Sequence, residues 1–495
     1  MKNTELELLM PGGSLDKIKY AIAYGADAIY AGVPRYSLRA RENEFFDPEL
    51  IKEAVDYVHA KGKKIYLTAN IYAHNNKING FMDAMSDMVQ LKPDAFIMTD
   101  PGLIALTKEK FPEAVIHLST QANNTNWAQV KFWKDYGVDR AILARELRIE
   151  EIREIHDKVP DIELEAFVHG SICMAYSGRC LLSNYLSYRD ANQGTCSHTC
   201  RWGFKVHAND AVDSSSLRGA EGDAAISEDA LTKFDDVRTD YVPLDGDFYL
   251  EEKERQGEMM PIDEDEYGTY IMNSKDLCGI DYMKELKDAG IISFKVEGRN
   301  KTEYYASLVA RAYRKGLDAI ADGSELPKEL RDWMLQEVSS TANRGFIPGF
   351  YPRNAKAAAQ ELANSHCIQT HLYAARVVAY DKESRVASLE VKNRMDEGDT
   401  LTFITPSGEF EMNFADVYYN GHPDALKFSK KLHNNSKKEF NENQIEKTTH
   451  AHGGGKNIFL KMPQDLGNDW NTVIIRMVFK EAVTLKKNRP EMLAV

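Results

Sequence analysis

Short apolar runs alternate with amphipathic stretches over the first part of the chain. The apolar runs predict eight strands, at residues 6–10, 28–31, 64–69, 95–99, 115–119, 140–144, 162–167 and 292–296. Between them, helices are predicted at 15–24, 48–60 and 127–136, each followed by the glycine that favours a helix C-terminus. Eight β/α units in a row favour a closed (β/α)8 barrel, because a doubly wound sheet seldom uses so many equivalent repeats.

The eighth unit follows a long interruption. Residues 170–204 contain most of the cysteines, and residues of about 209–266 are acidic, rich in Ser, Asp and Glu, and without clear periodicity. We interpret 209–266 as an insertion. Strand 292–296 and a helix at about 303–321 then complete the barrel. We therefore predict a catalytic barrel domain at 1–345 and a linker at 346–366.

The pattern changes in the last quarter of the chain to alternating strands separated by turn signals, as in YAARVVAYD and DTLTFITPSGEFEMNF. This pattern predicts a small all-β barrel domain at 367–495. A scaffolding or oligomerisation module and an RNA-contacting module are both compatible with such a domain.

Composition places the chain among ordinary globular proteins. Of its 495 residues, 43% are hydrophobic and 28% charged, and no apolar run is long enough to span a bilayer. The N-terminal residues lack a secretory leader pattern, so we expect a cytoplasmic protein without membrane contact. The net charge of -14 argues against indiscriminate nucleic-acid binding, although a local basic patch is compatible with it.

Four of the six cysteines lie close together, with the spacing C-x6-C-x15-C-x3-C: Cys173, Cys180, Cys196 and Cys200. In a reducing compartment such a group indicates metal ligands more than disulfides. Four thiolates suit an iron–sulfur cluster or one zinc ion, and the absence of paired C-x2-C knuckles favours the cluster. Redox-active or simply buried thiols are the alternatives.

Polar residues that follow barrel strands are expected to converge on one face. The candidates for catalysis are Gln121, Glu165, His169, Lys295 and Glu297, and the candidates for binding an anionic substrate are Arg35, Arg39, Arg41, Arg145 and Arg299. Arginines beside a thiolate-bound metal suit a small dianion, because guanidinium pairs with carboxylate through two hydrogen bonds. The motifs of zinc proteases, serine hydrolases, phosphate-loop proteins and dinucleotide-binding proteins are absent from the sequence.

The stretch ELEAFVHGSICMAYSGRCLLS resembles the signature of the collagenase-like peptidase family of unassigned catalytic type, peptidase U32. PGGSLDKIKYAIAYGADAIYAG, HLSTQANNTNWAQVKFW and NSKDLCGIDYMKELKDAGIISFKVEGR are similar to the same family, over roughly residues 6–345. RCLLSNYLSYRDANQGTCSHTCRW most resembles its branch of tRNA uridine hydroxylases.

The resemblance implies a hydroxylase that converts the wobble uridine of tRNA to 5-hydroxyuridine. It further implies a 4Fe-4S cluster on Cys173, Cys180, Cys196 and Cys200, and prephenate as co-substrate. Other members suggest a metal-dependent peptidase, or a hydroxylase of another RNA or of a quinone. A non-catalytic binding module is disfavoured by the many strand-end polar residues.

The cluster assignment predicts that anaerobically purified protein is brown and contains iron and sulfide. Cys180→Ser should abolish the cluster because it removes one thiolate ligand, whereas the distant Cys367→Ser should leave it intact. Iron, sulfide and zinc analysis checks both variants. Stoichiometric zinc without iron, even after anaerobic reconstitution, would contradict the assignment.

Overall fold

The computed structural model describes residues 6–38, 45, 47–173, 175–201, 248–251, 259–265, 268–270, 274–352, 368–436, 440–454 and 457–479. The chain forms two compact units. The first comprises residues 1–199, 274–359 and 367–495, and the second comprises 200–273 and 360–366. No helix in these described ranges is long and apolar enough to cross a membrane.

Strands and helices alternate at the start of the first unit. The strands are β1 (Glu7–Gly12), β2 (Ala28–Gly32), β3 (Lys64–Ala69), β4 (Ala95–Met98), β5 (Ile116–Leu118), β6 (Arg140–Ile142) and β7 (Glu163–Ser171). The helices are α1 (Leu15–Ala23), α2 (Pro48–Ala60), α3 (Ile78–Gln90), α4 (Pro101–Lys110), α5 (Trp127–Asp135), α6 (Ile149–Lys158) and α7 (Leu182–Ser187). Strands β1 to β7 pair in sequence order, all parallel.

The second unit contains a small antiparallel sheet. It is formed by β8 (Phe248–Glu251), β9 (Met259–Asp265) and β10 (Gly268–Tyr270), with β9 in the middle. The sequence pattern did not predict these strands. Most of the predicted insertion at 209–266 lies outside the described residues.

The chain then returns to the first unit and closes the barrel. The elements are β11 (Asp276–Cys278), α8 (Met283–Asp288), β12 (Ile291–Val296), α9 (Glu303–Ile320), α10 (Lys328–Ser339) and β13 (Phe346–Ile347). Strand β12 pairs in parallel with both β7 and β1, which completes a ring of eight parallel strands. The predicted (β/α)8 barrel is therefore confirmed.

Helix ends follow from the local sequence. Ser14 and Asn126 cap the N-termini of α1 and α5 by accepting a backbone N–H, and Asp47 does so for α2, whose first residue is proline. Gly62 has φ of +66° just after α2, a backbone conformation that L side chains rarely adopt. These signals explain why the predicted helix bounds agree with the structure to within a residue.

Strand β7 is longer than predicted. The sequence pattern placed its end at residue 167, but the strand continues to Ser171 because its last residues pair with antiparallel β11, with Cys278 opposite His169 and Asp276 opposite Ser171. A register shift between Lys295 and Val296 of β12 accompanies the extension. β7 thus carries the chain past the barrel rim before the cysteine segment begins.

The C-terminal part of the first unit is a mainly antiparallel β structure, as predicted. Its strands are β14 (His371–Asp381), β15 (Val386–Val391), β16 (Met395–Asp396), β17 (Thr400–Thr405), β18 (Gly408–Asn413), β19 (Val417–Tyr419), β20 (Glu446–Thr448), β21 (His450–Ala451), β22 (Ile458–Lys461) and β23 (Ile474–Val478). Eight of them form one sheet in the order β18-β17-β23-β14-β15-β22-β19-β20. The helix α11 (Leu426–Asn435) follows β19 and was not predicted.

A buried ionic network joins the strands inside the barrel. Arg140 Nη1 lies 2.5 Å from Glu7 Oε1 and 3.1 Å from Glu165 Oε2, and Lys295 Nζ donates to Glu165 Oε1 at 2.8 Å. Tyr66 donates to Glu7 at 2.6 Å. Burial alone would raise the pKa of Glu7, but the charge and hydrogen bonds of Arg140 lower it overall. Two carboxylates and two cations thus balance each other across β1, β6, β7 and β12.

We predict that Arg140→Met destabilises the protein by about 3–5 kcal/mol, because it leaves two buried carboxylates without their shared cation. Chemical denaturation of the wild type and the variant measures this change in the free energy of unfolding. Arg394→Met is the matched control, since Arg394 is 64% exposed and pairs with Asp396 on the surface, where such a pair contributes up to about 1 kcal/mol. Equal losses in the two variants would contradict a structural role for the network.

Candidate active site at the barrel mouth

A cavity of about 100 Å³ opens where the barrel strands end. We call it the anion cavity because of the charges described below. Its lining comes from the ends of the strands and the segments that follow them: Tyr30, Leu38, Thr68, Asn70, Ile97, Ser119, Thr120, Gln121, Ile142, Arg145, Phe167, Ser171, Cys173, Ser177, Lys295, Glu297 and Arg299. Carboxyl ends of strands are where (β/α)8 enzymes place their active sites.

Three cations and one carboxylate line this cavity. Arg145 lies with its guanidinium 4.0 Å from the centre of the Phe167 ring, and its Nη1 donates to the Ser171 carbonyl at 3.0 Å. Its Nη2 is 3.9 Å from Glu297. The Nε of Arg145 is buried without a hydrogen-bond partner among the described residues. Arg145 is therefore held at the cavity by its Nη atoms and the Phe167 ring, while its Nε stays buried.

Lys295 lies deeper in the barrel than Arg145. Its Nζ is bonded to Glu165 and sits 4.6 Å from the centre of the Tyr30 ring and 5.3 Å from that of Phe167. Burial lowers the pKa of Lys295, and the neighbouring Glu165 carboxylate opposes that shift. The amine is thus fixed by the ionic network from behind and by aromatic rings at its sides.

Arg299 is 93% buried and is held by the segments that follow the strands. Its Nη1 donates to Thr68 Oγ1 at 3.1 Å, and its Nη2 donates to the carbonyl of Leu38. Its own carbonyl lies against Gly13, where an added Cβ would be only 2.2 Å away. Only glycine at residue 13 leaves space for this close backbone approach.

The predicted site residues divide into three groups. Gln121, Arg145, Lys295, Glu297 and Arg299 line the anion cavity, as expected for strand-end residues, and so does Cys173, which was predicted as a metal ligand. Glu165 lies behind Lys295 rather than in the lining, and Arg35 is exposed and outside it. Arg39 and Arg41 lie outside the described residues.

His169 is turned away from the cavity. It is 1% exposed and packs among Tyr305, Tyr313 and Phe346, with ring centres 5.3 to 5.9 Å apart. Its Nδ1 is 3.3 Å from the Tyr313 hydroxyl. Burial, together with the charge of Lys301, lowers the pKa of His169 to about 3. A histidine with this pKa is neutral near pH 7.

Hydroxyl and amide groups complete the lining of the anion cavity, and most of them were not predicted from the sequence. Asn70 accepts from the Leu38 N–H at 3.1 Å and donates to Ser119 Oγ at 3.4 Å, which links the ends of β3 and β5. Thr68 bonds Arg299, and Thr120 donates to the Leu143 carbonyl at 3.0 Å. Asn70 was recognisable as a strand-end residue, but isolated serines and threonines carry no comparable sequence signal.

The cysteine segment packs on the cavity rim. Gly178 has φ of +75°, and a Cβ there would be 2.2 Å from the Gln121 carbonyl. The backbone N–H of Tyr72 donates to Asn192 at 3.3 Å, and Lys77 Nζ donates to Gln193 at 2.7 Å. These contacts attach residues 178–193 to the segments that follow β3 and β5.

Cys173 is exposed and lines the anion cavity, whereas Cys180, Cys196 and Cys200 are partly buried. None of them forms a disulfide, and Cys278 is buried elsewhere. The donor chemistry fits a thiolate-bound cluster. However, no group of three or more His, Cys, Asp or Glu side chains within the described ranges is placed to hold a metal ion.

Comparison with known proteins identifies the family. The family model for peptidase family U32 matches residues 13–361. The model for the C-terminal domain of the same family matches residues 369–469. The chain belongs to peptidase family U32. The matched ranges cover the barrel from α1 onward, its cysteine segment and the C-terminal β structure as far as β22.

Several relatives match nearly the whole chain. The tRNA hydroxylation protein P of Escherichia coli K12 is 41% identical over 468 residues, 93% of this chain and 94% of that protein. The tRNA hydroxylation protein P1 of Bacillus subtilis is 34% identical and covers 81% of this chain and 84% of its own. A collagenase of Porphyromonas gingivalis is 26% identical, covering 82% and 88%. Thus U32 relatives carry names of two different activities.

The buried His169 predicts a loss of stability in mild acid. Its pKa is about 3 in the folded protein and near 6.5 in the unfolded chain, so the unfolded state takes up the proton first as pH falls. The contribution of neutral His169 to the free energy of unfolding is complete above about pH 6.5. Roughly 2 kcal/mol of it is lost by pH 5. His169→Phe should remove that part of the pH dependence.

Denaturation at pH 7 and pH 5 checks this prediction. Phe346→Leu is the control, because it disturbs the same aromatic cluster without removing a titrating group, and it should keep the wild-type pH dependence. An unchanged acid sensitivity in His169→Phe would show that His169 is not its source.

Proposed function

We propose that this protein is a tRNA hydroxylase that converts a wobble uridine to 5-hydroxyuridine, with prephenate as co-substrate and a 4Fe-4S cluster. The observation that carries the proposal is the anion cavity, where three cations face one carboxylate beside Cys173. The relatives named tRNA hydroxylation protein support the RNA substrate, because the similarity extends over both the barrel and the C-terminal domain.

The charges of the anion cavity suit a dicarboxylate. Arg145, Lys295 and Arg299 share the lining with one carboxylate, Glu297, and Glu165 pairs with Lys295 from behind. The lining thus offers three cationic groups whose N–H donors match carboxylate oxygens. Prephenate carries two carboxylates. Arg145 would bind one of them through its guanidinium group, while the deeper Lys295 would contact the other end of the molecule.

The remaining residues have positioning roles in this proposal. Glu165 keeps Lys295 in place, and Thr68 orients Arg299. Tyr30 and Phe167 shield the lysine from water and thereby strengthen its interaction with an anion. The Gln121 side chain, at the end of β5, offers an amide that can both donate to and accept from a bound substrate.

The cluster would be held by Cys173, Cys180, Cys196 and Cys200, whose segment packs on the rim of the same cavity. When bound, such a cluster supplies one-electron redox chemistry. Binding would draw the four thiols together, and Gly178 and Gly194, both with positive φ, are positions where the backbone can accommodate sharp turns.

The name of the P. gingivalis relative raises a peptidase as the second candidate. A serine or cysteine peptidase needs a general base within hydrogen-bond reach of its nucleophile. Ser119, Ser171, Ser177 and Cys173 line the anion cavity, and two lining groups could act as a base. Lys295 is ion-paired with Glu165, and Glu297 lies 3.9 Å from Arg145, so both are already engaged with opposite charges. The geometry therefore favours the hydroxylase.

Analysis of tRNA nucleosides by mass spectrometry tests the proposed activity. We expect cells that lack the gene to lose 5-hydroxyuridine and the nucleosides derived from it, and the wild-type gene to restore them. If the nucleoside content of tRNA is unchanged by the deletion, the proposed function is wrong.

The prephenate assignment makes a separate prediction for the purified protein. Arg145→Gln should raise the prephenate dissociation constant about 10- to 100-fold, which corresponds to losing one charged hydrogen bond. Arg153→Gln, on the exposed side of α6, is the matched control and should bind as the wild type does. Isothermal titration calorimetry measures the prephenate dissociation constant of the wild type and of both variants. Equal affinities in the three proteins would place the dicarboxylate elsewhere.

A further inference from the structure

A second and larger cavity lies between the barrel and the C-terminal β structure. Its volume is about 370 Å³, and we call it the junction cavity. Asn300, Lys301 and Thr302 line it from the segment that joins β12 to α9, and Lys392 and Asn393 line it from the segment after β15. Both sides belong to the same compact unit.

Two aromatic rings form one wall of the junction cavity. Tyr304 and Tyr373 stack with ring centres 5.4 Å apart and an angle of 11° between their planes. Tyr304 is fixed by Ser340, whose Oγ lies 3.1 Å from its hydroxyl. Asn393 Nδ2 donates to the Tyr373 carbonyl at 2.9 Å. The wall is therefore built from both parts of the unit and has little freedom to collapse into the cavity.

Two cations, several amides and one carboxylate, that of Glu303, surround these rings. Lys301 Nζ donates to the Ala342 carbonyl at 3.3 Å and lies 5.5 Å from the centre of the Tyr305 ring. No carboxylate among the described residues pairs with Lys301, whereas Lys392 bonds Glu390 at 2.6 Å. Asn300 and Gln369 add side-chain amides, which donate and accept hydrogen bonds at once.

The junction cavity and the anion cavity share one segment. Glu297 and Arg299 line the anion cavity, and the next three residues, beginning with Asn300, line the junction cavity. Arg299 and Lys301 are two residues apart, so their Cα atoms are separated by no more than about 7 Å. The two cavities are therefore neighbours along one short segment, as binding of adjacent nucleotides of one strand requires.

We propose that the junction cavity binds a nucleotide of the RNA substrate next to the uridine that is presented to the anion cavity. This inference rests on the proposed function. Amides and hydroxyls suit the edges of a base and the ribose hydroxyls, and the buried Tyr304–Tyr373 pair gives the cavity a rigid wall. Lys301 supplies a cation for the connecting phosphate.

Two substitutions in the full-length protein test the proposal. Lys301→Gln should weaken tRNA binding about tenfold and reduce the slope of log affinity against log salt by about one, because one phosphate contact is lost. Gln369→Trp should weaken binding by a similar factor because the indole fills the cavity. Thermal unfolding of both variants checks that they fold.

Lys382→Gln is the matched control, because it removes the same charge from the C-terminal β structure at a side chain that is 69% exposed. It should bind tRNA as the wild type does. Prephenate affinity should stay unchanged in all three variants, since none of the three residues lines the anion cavity. Wild-type tRNA affinity and salt slope in both Lys301→Gln and Gln369→Trp would overturn the proposal.

Two further results separate the possible failures. If the wild-type protein hydroxylates tRNA while both cavity variants bind and hydroxylate it equally well, only the junction cavity assignment is wrong. If the wild-type protein does not hydroxylate tRNA, the proposed function itself fails. Loss of uridine 5′-monophosphate binding in Lys301→Gln, with tRNA binding intact, would make the occupant a free nucleotide and would also overturn the proposal.

Discussion

The buried network of Glu7, Arg140, Glu165 and Lys295 is the interaction on which the barrel and its site both depend. It joins the first strand to the last, β1 to β12, through β6 and β7. Ser293 adds hydrogen bonds to both carboxylates, at 2.8 and 3.1 Å. Because buried charges are tolerated only when they are paired, the sequence must keep all four groups together.

The same network determines what the anion cavity can bind. Glu165 contacts Lys295 from the interior of the barrel, so the lysine is fixed where the cavity begins. Arg145 and Arg299 are held by backbone carbonyls, at Ser171 and Leu38, and Arg145 lies 3.9 Å from Glu297. Removing a carboxylate behind the site would therefore change both the stability of the barrel and the position of its deepest cation.

Much of this arrangement could be predicted from the sequence because (β/α)8 barrels place strand-end residues on one face. Gln121, Arg145 and Arg299 are in the lining for that reason. The rule does not specify which way a side chain points. Glu165 faces the interior below the cavity, and the pairing of His169 with Cys278 on β11 turns the imidazole toward α9. The pairing partner is more than 100 residues away, so no local pattern could reveal it.

The net charge of -14 constrains where a polyanion such as tRNA can approach. The basic residues of the C-terminal part of the chain differ in their pairing: Arg394 pairs with Asp396 and Lys392 with Glu390. On α11, Lys427, Lys430 and Lys431 are exposed at helical spacing on one face, whereas the basic stretch at 484–490 lies outside the described residues. Cations that are already paired gain less from a phosphate than unpaired ones, because the phosphate must displace a carboxylate. The α11 face and Lys301 are therefore better placed than Lys392 and Arg394 to provide the electrostatic part of RNA binding. The α11 face lies on the C-terminal surface, and Lys301 follows the segment that lines the anion cavity.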